Sequence, residues 1–352
     1  MLRLSRIAAA APTSRVIALG TGLVALAALS TGAPAVADTS RTSSAVVSPA
    51  ASSSPTAASA ERRASGPRLT AKPGALRRSL TCTGDLRKAR KQTVLLVHGT
   101  GAVPEENFSW NFDTALKRRG YPSCRVTIPG RGLADVQVNV EFVVHAIREA
   151  ARRSGRPIAV IGHSQGAFLP TYALRIWPDL AAQVDDFIGY AGVFTAGTSM
   201  ADLLCGIPCA EAFRQFSPSS NLLAAVRARP LPTGPSYTSF ATRLDEIVTP
   251  QPTASRLKAP GAVNVVLQDH CPTDIAEHLT IIAERPFFQL TFDALSHPGP
   301  ARLKRVGALR CGFDRQVIEA APALPTFGVG LLSDYLAHVG TTEPPLRSYW
   351  RR

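Results

Sequence analysis

Residues 157–176 read PIAVIGHSQGAFLPTYALRI, and few stretches constrain a fold as tightly. The apolar run PIAVI suits a strand buried on both faces, and the residues after Gly166 suit a helix. Between them Gly162-His163-Ser164-Gln165-Gly166 forms a G-x-S-x-G pentapeptide with no room for a loop, so strand passes into helix through one sharp turn. At such a turn strand and helix nearly touch, and only glycine fits on either side. The pentapeptide alone is weak evidence; its flanks give it meaning. They set Ser164 at a helix N-terminus, where the positive dipole end and unpaired N–H groups favour a developing anion.

From residue 93 onward the chain alternates apolar runs with amphipathic stretches. Residues 93–98 (TVLLVH) and 124–128 read as strands, as does 157–161. Helices are predicted over 110–119, 136–153 and 165–176. The second is the most regular, with Val140, Val143, Val144, Ile147 and Ala151 recurring at helical spacing. Further strands are predicted over 184–190, 236–242 and 262–268. Strands separated by helices imply an α/β fold, with a mostly parallel, doubly wound sheet carrying helices on both faces. There is no internal repeat.

Of the 352 residues 45% are hydrophobic and 18% charged, which excludes a wholly disordered chain and a multi-span membrane protein. The net charge of +14 first suggests nucleic acid or an anionic surface, but its position argues otherwise. Arg3, Arg6 and Arg15 precede an apolar run over 16–30, followed by Ala35-Val36-Ala37, so residues 1–37 read as a secretory signal peptide. Residues 38–80 are rich in Ser, Ala, Pro and Arg and read as a disordered linker or propeptide. Those two segments hold eight of the charges. The domain assigned to 81–352 keeps +6, and no nucleic-acid partner is needed to explain it.

All six cysteines follow the linker in a chain read as secreted and extracellular, so disulfides are expected. Six permit about 15 connectivities. Sequence order suggests Cys82 with Cys124, Cys205 with Cys209, and Cys271 with Cys311. A metal site is not expected, because neither paired C-x-x-C nor H-E-x-x-H occurs.

A serine nucleophile needs a base and an acid to orient it, and after a turn of this kind they follow in the order Ser, Asp or Glu, His. Asp245 follows the predicted strand 236–242 and His278 follows 262–268, both at the carboxyl edge of the sheet. Glu246, Asp269 and Asp274 compete with Asp245. His270 competes with His278, but its neighbour Cys271 would pin it. His98, His145, His163, His297 and His338 read as structural or surface residues. The oxyanion donors would be the Gln165 N–H and the loop His98-Gly99-Thr100-Gly101, where Thr100 could add its hydroxyl.

These motifs follow one another in an order that resembles the Candida antarctica lipase B-like lipases of the α/β-hydrolase superfamily. The resemblance runs over about residues 80–320. It rests on LLVHGTG, an Asn-Phe-x-x-Asn-like stretch, the Cys124 strand, Asp135-Val136-Gln137-Val138-Asn139, SQG, Asp245-Glu246-Ile247-Val248 before Pro250-Gln251, and Asn264-Val265 leading to Cys271. It implies the α/β-hydrolase fold, Ser164 as nucleophile, Asp245 as acid, His278 as base, and Thr100 with Gln165 as the oxyanion hole. It also implies the disulfides Cys82 with Cys124 and Cys271 with Cys311. His163 stands where that family has a tryptophan beside the nucleophile, and no cysteine follows Cys311 to make the family's C-terminal disulfide. Cys205 and Cys209 are extra and fall in 193–212, the family's lid-like region, where they would stiffen the entrance.

The expectation is a secreted, monomeric serine ester hydrolase, a lipase or carboxylesterase acting on triglycerides or similar acyl esters at a lipid–water interface. No cofactor is required. Val193, Phe194, Leu203, Leu204, Ile207 and Ile247, with the apolar stretch 320–336, are candidates for the acyl-binding wall. A base histidine requires activity to rise with pH through about 6.5 to 7. An acyltransferase or polyester depolymerase would use the same groups, and a non-catalytic binding module would not need them.

Overall fold

Every side chain of the strand Val94–Val97 is buried, with Leu95 and Val97 in one apolar cluster and Val94 and Leu96 in another. Because strand side chains alternate, this one run builds an apolar layer on each face of the sheet, which helices must then cover. The computed structural model describes residues 65–314 and 330–351. Its strands are β1 (Leu80–Thr83), β2 (Val94–Val97), β3 (Ser123–Val126), β4 (Ile158–His163), β5 (Val184–Tyr190), β6 (Cys209–Ala210), β7 (Ser236–Ala241), β8 (Val263–Val266) and β9 (Val339–Gly340).

Seven of these form one sheet in the order β1-β3-β2-β4-β5-β7-β8, parallel throughout except for the edge strand β1. This is the α/β-hydrolase fold. One face is covered by α4 and α5 and the other by α3 and α9, in the helix set α1 (Pro73–Arg78), α2 (Pro104–Phe108), α3 (Phe112–Arg118), α4 (Val136–Ser154), α5 (Gln165–Ile176), α6 (Ser199–Leu204), α7 (Glu211–Phe216), α8 (Asn221–Arg227), α9 (Arg285–Ala294), α10 (Leu303–Val306) and α11 (Leu331–Ala337). Asp135 caps α4 by accepting the Gln137 N–H at 2.9 Å, and Gly155 ends it with φ 71°. The helix predicted over 110–119 is α3, which starts two residues later, at Phe112, and ends at Arg118. Asn111 sets that start, because its side chain accepts the Phe112 N–H as the N-cap.

The three disulfides Cys82–Cys124, Cys205–Cys209 and Cys271–Cys311 are all formed. The first joins directly paired residues of β1 and β3.

Reading 38–80 as one disordered segment is corrected at its end. Residues 65–80 belong to the folded body, where Leu76 and Leu80 enter the core. Glu141, buried in α4, accepts the Thr70 N–H at 2.5 Å, the Ala71 N–H at 2.7 Å and the Thr70 hydroxyl at 2.8 Å, and it pairs with Arg347 at 2.6 Å. Trp177 Nε1 donates to the Pro67 carbonyl at 2.8 Å, and Arg148 donates to that of Ser65 at 2.6 Å. A low-complexity composition hid these anchors, because the groups that bind the segment lie 70 and more residues away. Arg68, Lys72, Arg77 and Arg78 thereby leave the linker, and residues 65–352 carry +10 against +6 for 81–352. Residues 1–64 and 315–329, including the signal reading at 1–37, lie outside the described residues.

Candidate active site

Ser164 follows the last residue of β4 and precedes the first residue of α5, with φ 56° and ψ −124°. A non-glycine residue at positive φ carries strain of order 1–3 kcal/mol, which the surroundings must hold in place. They do so closely: a Cβ on Gly162 would stand 2.0 Å from the Gly166 carbonyl oxygen, and one on Gly166 would stand 2.0 Å from that of Val97. Both glycines of the pentapeptide are therefore sterically required. The Ser164 N–H donates to the Tyr190 carbonyl at 2.8 Å, and its side chain makes no capping bond, so Oγ stays available for chemistry.

Asp245 and His278 meet from the loops after β7 and β8. His278 Nδ1 lies 2.9 Å from both carboxylate oxygens of Asp245, and both side chains are buried. Asp245 Oδ1 also accepts the N–H groups of Ile247 at 3.0 Å and Val248 at 2.7 Å, which aims the carboxylate. The loops are stitched together by the Thr242 hydroxyl, which donates to the Ala276 carbonyl at 2.7 Å, and by Glu246, which accepts the His278 N–H at 3.2 Å. With Nδ1 committed to Asp245, Nε2 is the nitrogen left to serve as a base. The competitor His270 is exposed, and Asp269 pairs with Arg243 at 2.5 Å.

The Thr100 loop leaves the end of β2. Gly101 N–H donates to the Arg131 carbonyl at 2.8 Å, and the Arg131 guanidinium binds Glu106 at 2.5 Å and Asp334 at 3.2 Å. Gln165 Nε2 donates to the Thr100 hydroxyl at 2.6 Å and to the Gly132 carbonyl at 2.9 Å, while Asn139 holds Gln165 Oε1 at 3.0 Å. As an acceptor from Gln165, the Thr100 hydroxyl keeps its own proton to donate elsewhere. The Gln165 N–H, at the start of α5, has no partner within the helix. Asn139, Arg131 and Glu106 were given no role from sequence. Their partners lie in other elements, and no local spacing marks them.

The seven strands, the strained serine turn and the Asp–His pair follow the plan of one large group of enzymes, and the model of the alpha/beta hydrolase family matches residues 94–351. The chain belongs to the α/β-hydrolase family. Lipase B of Pseudozyma antarctica is 28% identical over 240 residues, covering 66% of this chain and 70% of the relative. The crystal structure of Aspergillus fumigatus lipase B superposes with a TM-score of 0.69 at 26% identity, covering 81% of this hydrolase and 73% of that chain. The propeptide form of the Bacillus licheniformis lipase BlEst2 matches at 18% identity and a TM-score of 0.51, over 63% of this chain and 54% of that one, a likeness of fold.

The expected acyl wall divides. Val193 and Phe194 are buried in the hydrolase core, Phe194 edge-on to Phe187 with its ring against Gly192, so their apolar surface is already spent on packing. Leu203 and Ile207 are 74% and 70% exposed, and Leu204 and Ile247 are also exposed. Of the stretch 320–336, residues 320–329 lie outside the described residues, and α11 exposes Leu332 and Leu336. Among the described residues no group of three His, Cys, Asp or Glu side chains could hold a metal ion.

Proposed function

We propose that this hydrolase cleaves carboxylic esters of apolar acids through an acyl-enzyme on Ser164. The observation that carries the reading is the buried His278–Asp245 pair at the same sheet edge as the strained Ser164 turn. Ser164 Oγ attacks the ester carbonyl while His278 Nε2 takes its proton, and Asp245 steadies the imidazolium. The oxyanion is received by the N–H groups of Thr100 and Gln165 and by the Thr100 hydroxyl. His278 then returns the proton to the leaving alcohol, and water releases the acid by the reverse route.

Lipid esters are favoured because Ile247 and Leu279, each within two residues of the Asp–His pair, present exposed apolar side chains. Leu203, Ile207 and Leu332 add further exposed apolar surface. Three disulfides and the signal-like residues 1–37 support a secreted, extracellular enzyme.

The test is a chain-length series of p-nitrophenyl esters together with a triglyceride emulsion, run on wild type and Ser164→Ala. Hydrolysis of both substrate types, lost by at least about 10³-fold in Ser164→Ala, is expected. Comparable turnover by that variant would remove the mechanism, and failure on the triglyceride alone would remove the lipid assignment.

A further inference from the structure

We propose that His163 and Asn107 form a positioning relay that locks the Thr100 loop, the Ser164 turn and the His278 loop into one register. The relay rests on the catalytic reading above, since it places the backbone beside each group of that reading.

Three segments from three strand ends meet here. The Gly99 N–H donates to Asn107 Oδ1 at 2.8 Å, which fixes the orientation of the Asn107 amide. Asn107 Nδ2 then faces His163 Nδ1 at 3.2 Å and donates to it. With Nδ1 an acceptor, the imidazole carries its proton on Nε2, which donates to the His278 carbonyl at 2.8 Å. Each donor has one acceptor, and the chain closes without a conflict. Gly99 directly precedes Thr100, and His163 directly precedes Ser164. Each link is therefore one residue, or none, from a group that reacts.

The relay is buried, with Asn107 5% and His163 3% exposed. Burial pushes the His163 pKa down to about 3, so the ring stays neutral and keeps its one donor and one acceptor at working pH. Its ring lies 5.0 Å from that of His278. A hydrocarbon ring at 163 would fill the space yet leave the His278 carbonyl and Asn107 Nδ2 unpaired, and those loops would lose their shared register. Neither His163 nor Asn107 is placed at the reacting atoms.

His163→Phe, His163→Gln and Ser164→Ala are compared with wild type, with kcat and KM measured separately on a short-chain p-nitrophenyl ester and folding checked by thermal unfolding. His163→Phe is expected to lower kcat by about 100-fold, as a displacement near 1 Å does. KM should stay within about threefold. His163→Gln, which keeps an amide donor for the His278 carbonyl, should recover at least about tenfold of that loss. Unchanged kcat in His163→Phe, or equal losses in both variants, would overturn the relay. If His163→Phe does not fold, ¹⁵N spectra of the wild-type histidines decide. A His163 ring held as the Nε2–H tautomer without titrating between about pH 5 and 8 supports the relay, and an Nδ1–H tautomer or a titration there overturns it. An inactive Ser164→Ala beside a fully active His163→Phe sinks the relay alone, whereas an active Ser164→Ala sinks the catalytic reading beneath it.

Discussion

His278 Nδ1 sits 2.9 Å from each carboxylate oxygen of Asp245, and two backbone N–H groups hold that carboxylate from the far side. The arrangement fixes the tautomer as well as the position of the base. Asp245→Asn can preserve the geometry while presenting an amide N–H to Nδ1, which drives the ring proton to Nε2 and removes the base. A fall in kcat of about 10⁴-fold with little change in thermal midpoint is expected from steady-state kinetics and calorimetry. A loss under about tenfold would show that Asp245 does not orient the base.

The central sheet and the serine turn were legible because their signals are local. A buried parallel strand needs a continuous apolar run, and PIAVI followed by G-x-S-x-G shows both strand and turn within ten residues. That the Asp245 and His278 side chains meet was legible from their order after strands. The Asn107–His163 link was not, because residues 56 apart in sequence meet only once β2 and β4 pair. His163 read as structural, which describes its burial and misses what its two nitrogens join. The anchoring of residues 65–80 failed for the same reason: their partners are Glu141, Arg148 and Trp177.

That anchoring gives a direct expectation. A chain beginning at residue 65 keeps the bonds to Glu141, whereas one beginning at residue 81 leaves a buried carboxylate with Arg347 alone. Breaking such a buried network costs about 3–5 kcal/mol. The shorter chain should unfold at least about 6 °C lower by calorimetry. Equal midpoints would return residues 65–80 to the linker.

Glu284 is fully buried beside Asp274. Burial first, and then the charge of Asp274, push its pKa up to about 8 from an ordinary 4.5. Across that window the folded state holds a proton that the unfolded state has released, so this group's contribution is complete below 4.5 and is lost as pH rises to 8. Glu284→Gln removes the dependence. Its thermal midpoint relative to wild type should rise by about 3 °C or more between pH 5 and pH 9. An offset that does not change with pH would contradict the buried-acid assignment.

Cys205–Cys209 staples the segment between α6 and β6, whose strand pairs with β9. Thr198 at its base is bonded to the Ile247 carbonyl, which ties the segment to the Asp245 loop. Mild reduction should raise amide exchange over residues 199–210 while leaving β4 and β5 protected, as local opening does. Exchange unaffected by reduction would mean that the clip does not stiffen this segment.

The central assignment is the acyl-enzyme on Ser164, and fluorophosphonate labelling reads it most directly. Intact-mass and peptide analysis should find one adduct, on Ser164, with ester turnover falling in proportion to the labelled fraction. An adduct on another residue, or turnover that survives complete labelling of Ser164, would contradict it.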